Sequence, residues 1–189
     1  MNIKKNILFY SIILLILFSI RGIMANEAKD LIHLQLKDGL VVIETRPDLA
    51  PKHVEQIKKL VTDGEYNGVV FHRVIEDFMA QTGDVQFGNS NKDSYNLSRA
   101  GTGGSSLQDI DAEFSSANHS RGAVSMARAQ NPNSANSQFF ICFKDCSFLD
   151  GQYSIWGYVI EGMEFVDNIV LGEPPANPDK IVKMEIVSN

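Results

Sequence analysis

The run Phe71-His72-Arg73-Val74-Ile75-Glu76-Asp77-Phe78-Met79-Ala80-Gln81-Thr82-Gly83-Asp84 constrains this chain more than any other stretch. It sets one arginine among Phe71, Phe78 and Met79, with a neutral amide at Gln81 eight residues further on. Arginine is rarely fully buried unless it is paired. A fold that accommodates this run therefore needs either an open strand face, where Arg73 is simply solvated, or a walled pocket that holds one fixed charge. For a lone arginine among hydrophobics the open face would be the better reading. The residues spaced around Arg73 favour the pocket.

Around this run the chain reads as short strands with two helices. Ile32, Leu34 and Leu36 alternate before Asp38-Gly39, and Leu40-Val41-Val42-Ile43 follows, so Leu31 to Thr45 predicts a β-hairpin. Leu49-Ala50-Pro51 opens a helix, with proline suited to its first turn. Val54, Ile57, Leu60 and Val61 recur at helical spacing, Glu55 stands four before Lys59, and Gly64 marks the stop. Further strands are predicted over Gly68 to Ile75, Gly122 to Ala127, Ser137 to Phe143 and Ser154 to Ile160, a short helix over Glu164 to Leu171, and a closing strand over Ile181 to Val187. Many short strands with two helices point to a mainly β fold, a closed antiparallel barrel capped by the helices.

The first 25 residues read as an address rather than as part of that fold. Lys4 and Lys5 precede a 14-residue apolar run, Ile7 to Ile20, which Arg21 and Gly22 end. Ala25 is a small residue placed for cleavage before Asn26. This is the layout of a secretory signal peptide, and the run is short for a membrane span of about 20 residues. The alternative is an uncleaved membrane anchor, since Ile23 is bulky so close to the cut. Export is the reading adopted, with the periplasm as the destination. The domain then runs over 26–189, 164 residues, enough for one domain burying roughly 70% of its unfolded surface. It carries 14 basic against 23 acidic residues, a formal charge of −9, which disfavours nucleic-acid backbones as partners.

Three more blocks join the first: Arg121-Gly122-Ala123-Val124-Ser125-Met126-Ala127-Arg128, then Ser134-Ala135-Asn136-Ser137-Gln138-Phe139-Phe140-Ile141, then Phe148-Leu149-Asp150-Gly151-Gln152-Tyr153 with Trp156-Gly157 beyond. Together with the first run they match the signature of the cyclophilins, from about Leu31 to Val187. The chain thus resembles a cyclophilin-type peptidyl-prolyl cis-trans isomerase. The resemblance implies an eight-stranded barrel with one groove on its face. It implies Arg73 and Gln81 as catalytic residues. Phe78, Met79, Ala127, Arg128, Gln138, Phe140, Phe148, Leu149 and Tyr153 would bind substrate, with Phe71, Phe139 and Trp156 in the core. Arg128, Phe148 and Tyr153 stand where asparagine, tryptophan and histidine are common in eukaryotic members, and with the Asn131 to Asn136 spacing they look like the shorter bacterial forms. The Tyr153 departure puts any imidazole role there in doubt.

Other features carry less. Cys142 and Cys146 would lie about 13 Å apart on one strand, too far to bridge without a turn at Lys144-Asp145. Two free thiols, with Cys142 packed as a small hydrophobe, is the simpler reading. Gly101-Thr102-Gly103-Gly104-Ser105-Ser106 has no phosphate-loop spacing, and fits a turn where backbone approaches a bound peptide. His33, His53, His72 and His119 show no metal-ligand spacing, and His72 is expected to be packed and hydrogen-bonded. No Ser-His-Asp arrangement is legible.

No metal or cofactor is therefore expected. The resemblance implies proline-containing polypeptides as partners, a monomer, and weak cyclosporin binding, because Phe148 replaces the tryptophan that aids that ligand. Two other functions compete: a proline-peptide-binding chaperone module with little turnover, and a small-ligand barrel. The first needs only the apolar pocket, so the joint presence of Arg73 and Gln81 argues against it. The second would need an apolar lumen.

Overall fold

The computed structural model of the protein describes residues 30–187. The leader assigned to residues 1–25 lies outside the described residues.

Leu31–Gln35 forms β1 and Leu40–Thr45 forms β2, the predicted hairpin. At its turn Leu36 N–H donates to the Gly39 carbonyl at 2.9 Å. At Gly39 the Phe165 ring lies 2.3 Å from the position of a Cβ, so a side chain there would have to displace that ring. Pro51–Thr62 forms α1, burying Val54, Ile57, Leu60 and Val61 as the spacing predicted, together with His53. Gly64 follows the helix with φ of 70°, a conformation suited to glycine. Lys59 pairs with Asp63 at 2.8 Å, four residues on, rather than with Glu55.

The remaining elements are Arg73–Ile75 (β3), Met79–Thr82 (β4), Ala123–Met126 (β5), Phe139–Cys142 (β6), Ile155–Glu161 (β7), Met163–Asp167 (α2) and Lys183–Val187 (β8). All eight strands join one antiparallel sheet, in the order β3-β4-β6-β5-β7-β2-β1-β8. The sheet curls into a half-barrel whose edges, β3 and β8, are not paired with each other. This differs from the closed barrel that was expected. Between the edges runs the segment 168–182, which joins the β3 side by isolated bridges rather than a continuous ladder, Val70 to Lys180 and Val74 to Gly172. Pro174, Pro175 and Pro178 lie in it, and proline has no N–H to give to a ladder. The second helix, α2, is only five residues long and ends at Asp167, short of the predicted Leu171, and beyond it Val170 N–H donates to the Asp179 carboxylate instead of continuing the helix.

Alternation along the strands sorts side chains onto two faces. Val74, Ala80, Val124, Met126, Phe139 and Ile141 point into the main core, which α1 closes. There Phe139 meets Tyr66 and Trp156 edge-on, with centroids 5.6 and 5.4 Å apart. Phe71, Phe139 and Trp156 are fully buried, as expected. The barrel interior is thus packed rather than hollow, which removes the apolar lumen that a small-ligand barrel would need. The other face carries a small second cluster of Met79, Ala123, Phe140, Cys142 and Cys146. Both cysteines are free thiols, and burial pushes each thiol above its ordinary range.

Candidate active site

The register of three strand pairs builds the site. Arg73 on β3 stands opposite Gln81 on β4, Gln81 opposite Phe140 on β6, and Phe140 opposite Ser125 on β5. Because side chains alternate, Arg73, Gln81 and Phe140 share the face away from the main core. One row over, Met79 stands opposite Cys142. A short 3-10 turn, Ser147–Leu149, brings Leu149 and Phe148 over this face.

These residues enclose a cavity of about 130 Å³. Phe78, Met79, Phe140, Leu149 and Tyr153 form its apolar wall, while Arg73, Gln81, Ala127 and Arg128 form its rim. Ligand pockets for drug-sized molecules run from about 300 Å³ upward, so this one suits a single small ring. Beside it lies a wider cavity of about 530 Å³ that shares Gln81, Ala127 and Arg128 and is floored by Gly101 to Ser105 and Gln138. An extended chain can lie across both.

Two predicted site residues are placed differently from the rest. Gln138 lies in the wider cavity, not in the small pocket. Phe148 does not line either cavity: it is 64% exposed and packs tilted against Phe78, with centroids 5.4 Å apart. Arg128 is on the rim, but its guanidinium turns back to donate to the carbonyls of Ala129 (2.9 Å) and Gln152 (3.0 Å) and lies 4.5 Å over the Tyr153 ring.

Arg73 is held on two sides. Its Nε donates to Glu173 at 2.7 Å, and its Nη1 lies 3.5 Å from the Gln81 amide oxygen. Gln81 Nε2 in turn donates to the Gln138 amide oxygen at 3.0 Å, and Gln138 Nε2 donates to the carbonyls of Gly101 (3.0 Å) and Gly103 (2.7 Å). The glycine loop is pinned from below by the buried carboxylate of Asp84. One oxygen of Asp84 accepts the N–H groups of Gly101 and Gly103 at 2.8 and 2.9 Å, and the other accepts those of Gln86 and Phe87. Gly101 adopts φ of 97° against the His72 ring, where a Cβ would fall 2.8 Å from a ring carbon.

Three groups of this site were not legible in the sequence. Glu173 is one hundred positions from Arg73, and no local pattern marks it. Asp84 belongs to the motif, yet its role as anchor of the glycine loop shows only in the fold. The third is a line of Asp150, His119 and Ser125, with His119 Nδ1 2.9 Å from Asp150 and Nε2 3.0 Å from Ser125 Oγ. The fold assembles it from residues that show no such pattern along the sequence. It is not a nucleophile site, because Ser125 is fully buried and its hydroxyl donates to the Ser154 carbonyl at 3.0 Å. The His119 ring lies nearly parallel to Phe140, 16° between planes, and backs the pocket wall. The backbone N–H of His119 and its ring hold the Asp150 carboxyl below the usual range. His72 is buried as expected, with the Gly101 backbone packed against its ring.

Residues 31–186 match the family model described as "Cyclophilin type peptidyl-prolyl cis-trans isomerase/CLD". A Brucella abortus protein named "Probable peptidyl-prolyl cis-trans isomerase" is 58% identical over 167 residues, covering 86% of this chain and 85% of its own. The peptidyl-prolyl cis-trans isomerase ppi1 of Schizosaccharomyces pombe is 35% identical, over 80% of this chain and 96% of its own. Among solved structures, a cyclophilin-type isomerase from Cryptosporidium parvum, determined in the presence of the dipeptide Ala-Pro, superposes with a TM-score of 0.71 at 27% identity. It covers 84% of this chain and 99% of that one.

Proposed function

The chain belongs to the cyclophilin-type peptidyl-prolyl cis-trans isomerases, and on that premise we propose that it speeds rotation about X–Pro bonds in exported polypeptides, with Arg73 lowering the barrier. An X–Pro amide resists rotation by about 18–20 kcal/mol because its nitrogen lone pair is shared with the carbonyl. Uncatalysed, the exchange takes tens of seconds or more. At the top of the barrier the nitrogen is pyramidal and its lone pair localised. A guanidinium N–H can donate to that nitrogen only then, so Arg73 binds the twisted state in preference to either planar one. That is catalysis by differential binding.

The pocket wall of Phe78, Met79, Phe140 and Leu149 holds the proline ring still while the preceding carbonyl turns. Gln81 and the Arg128 backbone keep the rest of the peptide in register, with Gln138 in the adjoining cavity. The observation that carries this reading is the placement of one guanidinium on the rim of an apolar pocket sized for a single ring. A binding module without turnover would need the wall but not the charge. Arg73→Ala is expected to lower turnover in a protease-coupled X–Pro assay by two to three orders of magnitude, about 3–4 kcal/mol, in a protein that still folds and still binds proline peptides. Near-parental turnover in the folded variant would sink the mechanism.

Export rests on the sequence of residues 1–25. It is checked by the mass of the mature protein recovered outside the cytoplasm, which should begin at Asn26. A Met1 end on membrane-bound protein would favour an anchored form instead.

A further inference from the structure

We propose that Glu173 is a positioning residue for the isomerase reaction, fixing the guanidinium of Arg73 over the pocket. The assignment rests on Arg73 being the group that touches the twisted amide. Gly172 and Val74 exchange both backbone hydrogen bonds, at 2.8 and 3.0 Å, in an antiparallel bridge. In that register the residue after Gly172 faces the residue before Val74, so Glu173 stands directly across from Arg73. The carboxylate accepts from Nε at 2.7 Å, and it is the only ionic partner of Arg73 among the described residues.

This leaves a clear division of the guanidinium. Nε is held by a charge, Nη1 faces the Gln81 amide at the long distance of 3.5 Å, and Nη2 has no hydrogen-bond partner among the described residues. With Nε on Glu173 and Nη1 beside Gln81, the Nη edge of the planar group is turned to the site. Both side chains are about half exposed, 41% and 52%, and exposed ion pairs contribute little to stability. Its consequence is therefore orientation, which catalysis feels steeply, rather than fold.

Turnover measured as separate kcat and KM on an X–Pro peptide tests this, alongside thermal melting. Glu173→Ala should lower kcat roughly tenfold, the scale of a misplaced catalytic group, with KM within about twofold and melting unchanged. Glu173→Gln, whose amide oxygen still accepts from Nε, should recover most of the loss. In an Arg73→Ala background, Glu173→Ala should cost nothing more. A folded Glu173→Ala protein with parental kcat, while Arg73→Ala is slow, overturns the assignment and leaves the arginine mechanism standing. A rise in KM at constant kcat, or a further loss on top of Arg73→Ala, also overturns it, because Glu173 would then act other than through Arg73. Parental turnover in Arg73→Ala overturns the arginine mechanism and this assignment with it.

Discussion

Phe148 presents a phenyl ring to solvent at the rim, resting on Phe78. An indole at this position could donate an N–H to a ligand carbonyl, whereas phenyl offers only apolar contact. A hydrogen bond contributes about 0.5–1.5 kcal/mol net, and the larger ring adds buried area at about 25 cal/mol per Å². Cyclosporin should therefore bind this protein one to two orders of magnitude more weakly than it binds tryptophan-bearing relatives. Phe148→Trp should tighten cyclosporin inhibition at least several-fold and leave X–Pro turnover within a few-fold of the parent; equal inhibition of the two proteins would refute the placement of Phe148. At this scale the sequence was informative where the motif is contiguous. Met79, Gln81 and Phe140 could be named in advance because they stand in the motif blocks that carry the family resemblance. Glu173 could not, because the contact that gives it a role depends on how the chain returns to β3.

Helix α1 shows how an element can be legible while its supports are not. Pro51 and the spacing of Val54, Ile57 and Leu60 mark it, yet Ala50 provides no side-chain cap. Glu113, from a distant loop, accepts the N–H groups of Lys52 and His53 at 3.2 and 3.1 Å and sits 2.7 Å from His53 Nδ1. A carboxylate there satisfies orphan donors and complements the helix dipole. His53 is fully enclosed, and burial lowers its affinity for a proton despite Glu113; burial does the same to His72. Both are thus harder to protonate folded than unfolded. The stability this represents is complete above the ordinary histidine value of about 6.5 and is lost as pH falls from there toward the lowered values. Urea midpoints should hold between pH 7 and 8 and decline below 6.5, and His53→Gln should flatten that decline. An unchanged slope in the variant would show that His53 does not titrate as its burial requires. Strand β4 escaped the sequence reading for a related reason: four residues, three of them buried, are too few to display a period.

For the whole molecule, the strand count and antiparallel character follow from short alternating runs, but the closure of the sheet does not. Closure depends on whether the last crossing segment can supply N–H donors, and in 168–182 prolines break that supply. The most telling feature at this scale is the pairing of β1 with β8, Leu31 opposite Val187. Nearly the entire described chain lies between these partners, and contacts so distant in sequence form slowly because a long loop must close first. During synthesis β1 can meet β2 at once, but its other edge stays vacant until the final strand has been made. Such a chain reaches its finished shape late, and a late-folding chain is one that a translocation channel can still thread. If the chain is exported as proposed, this topology would keep it threadable while the leader proposed for residues 1–25 directs it to the channel.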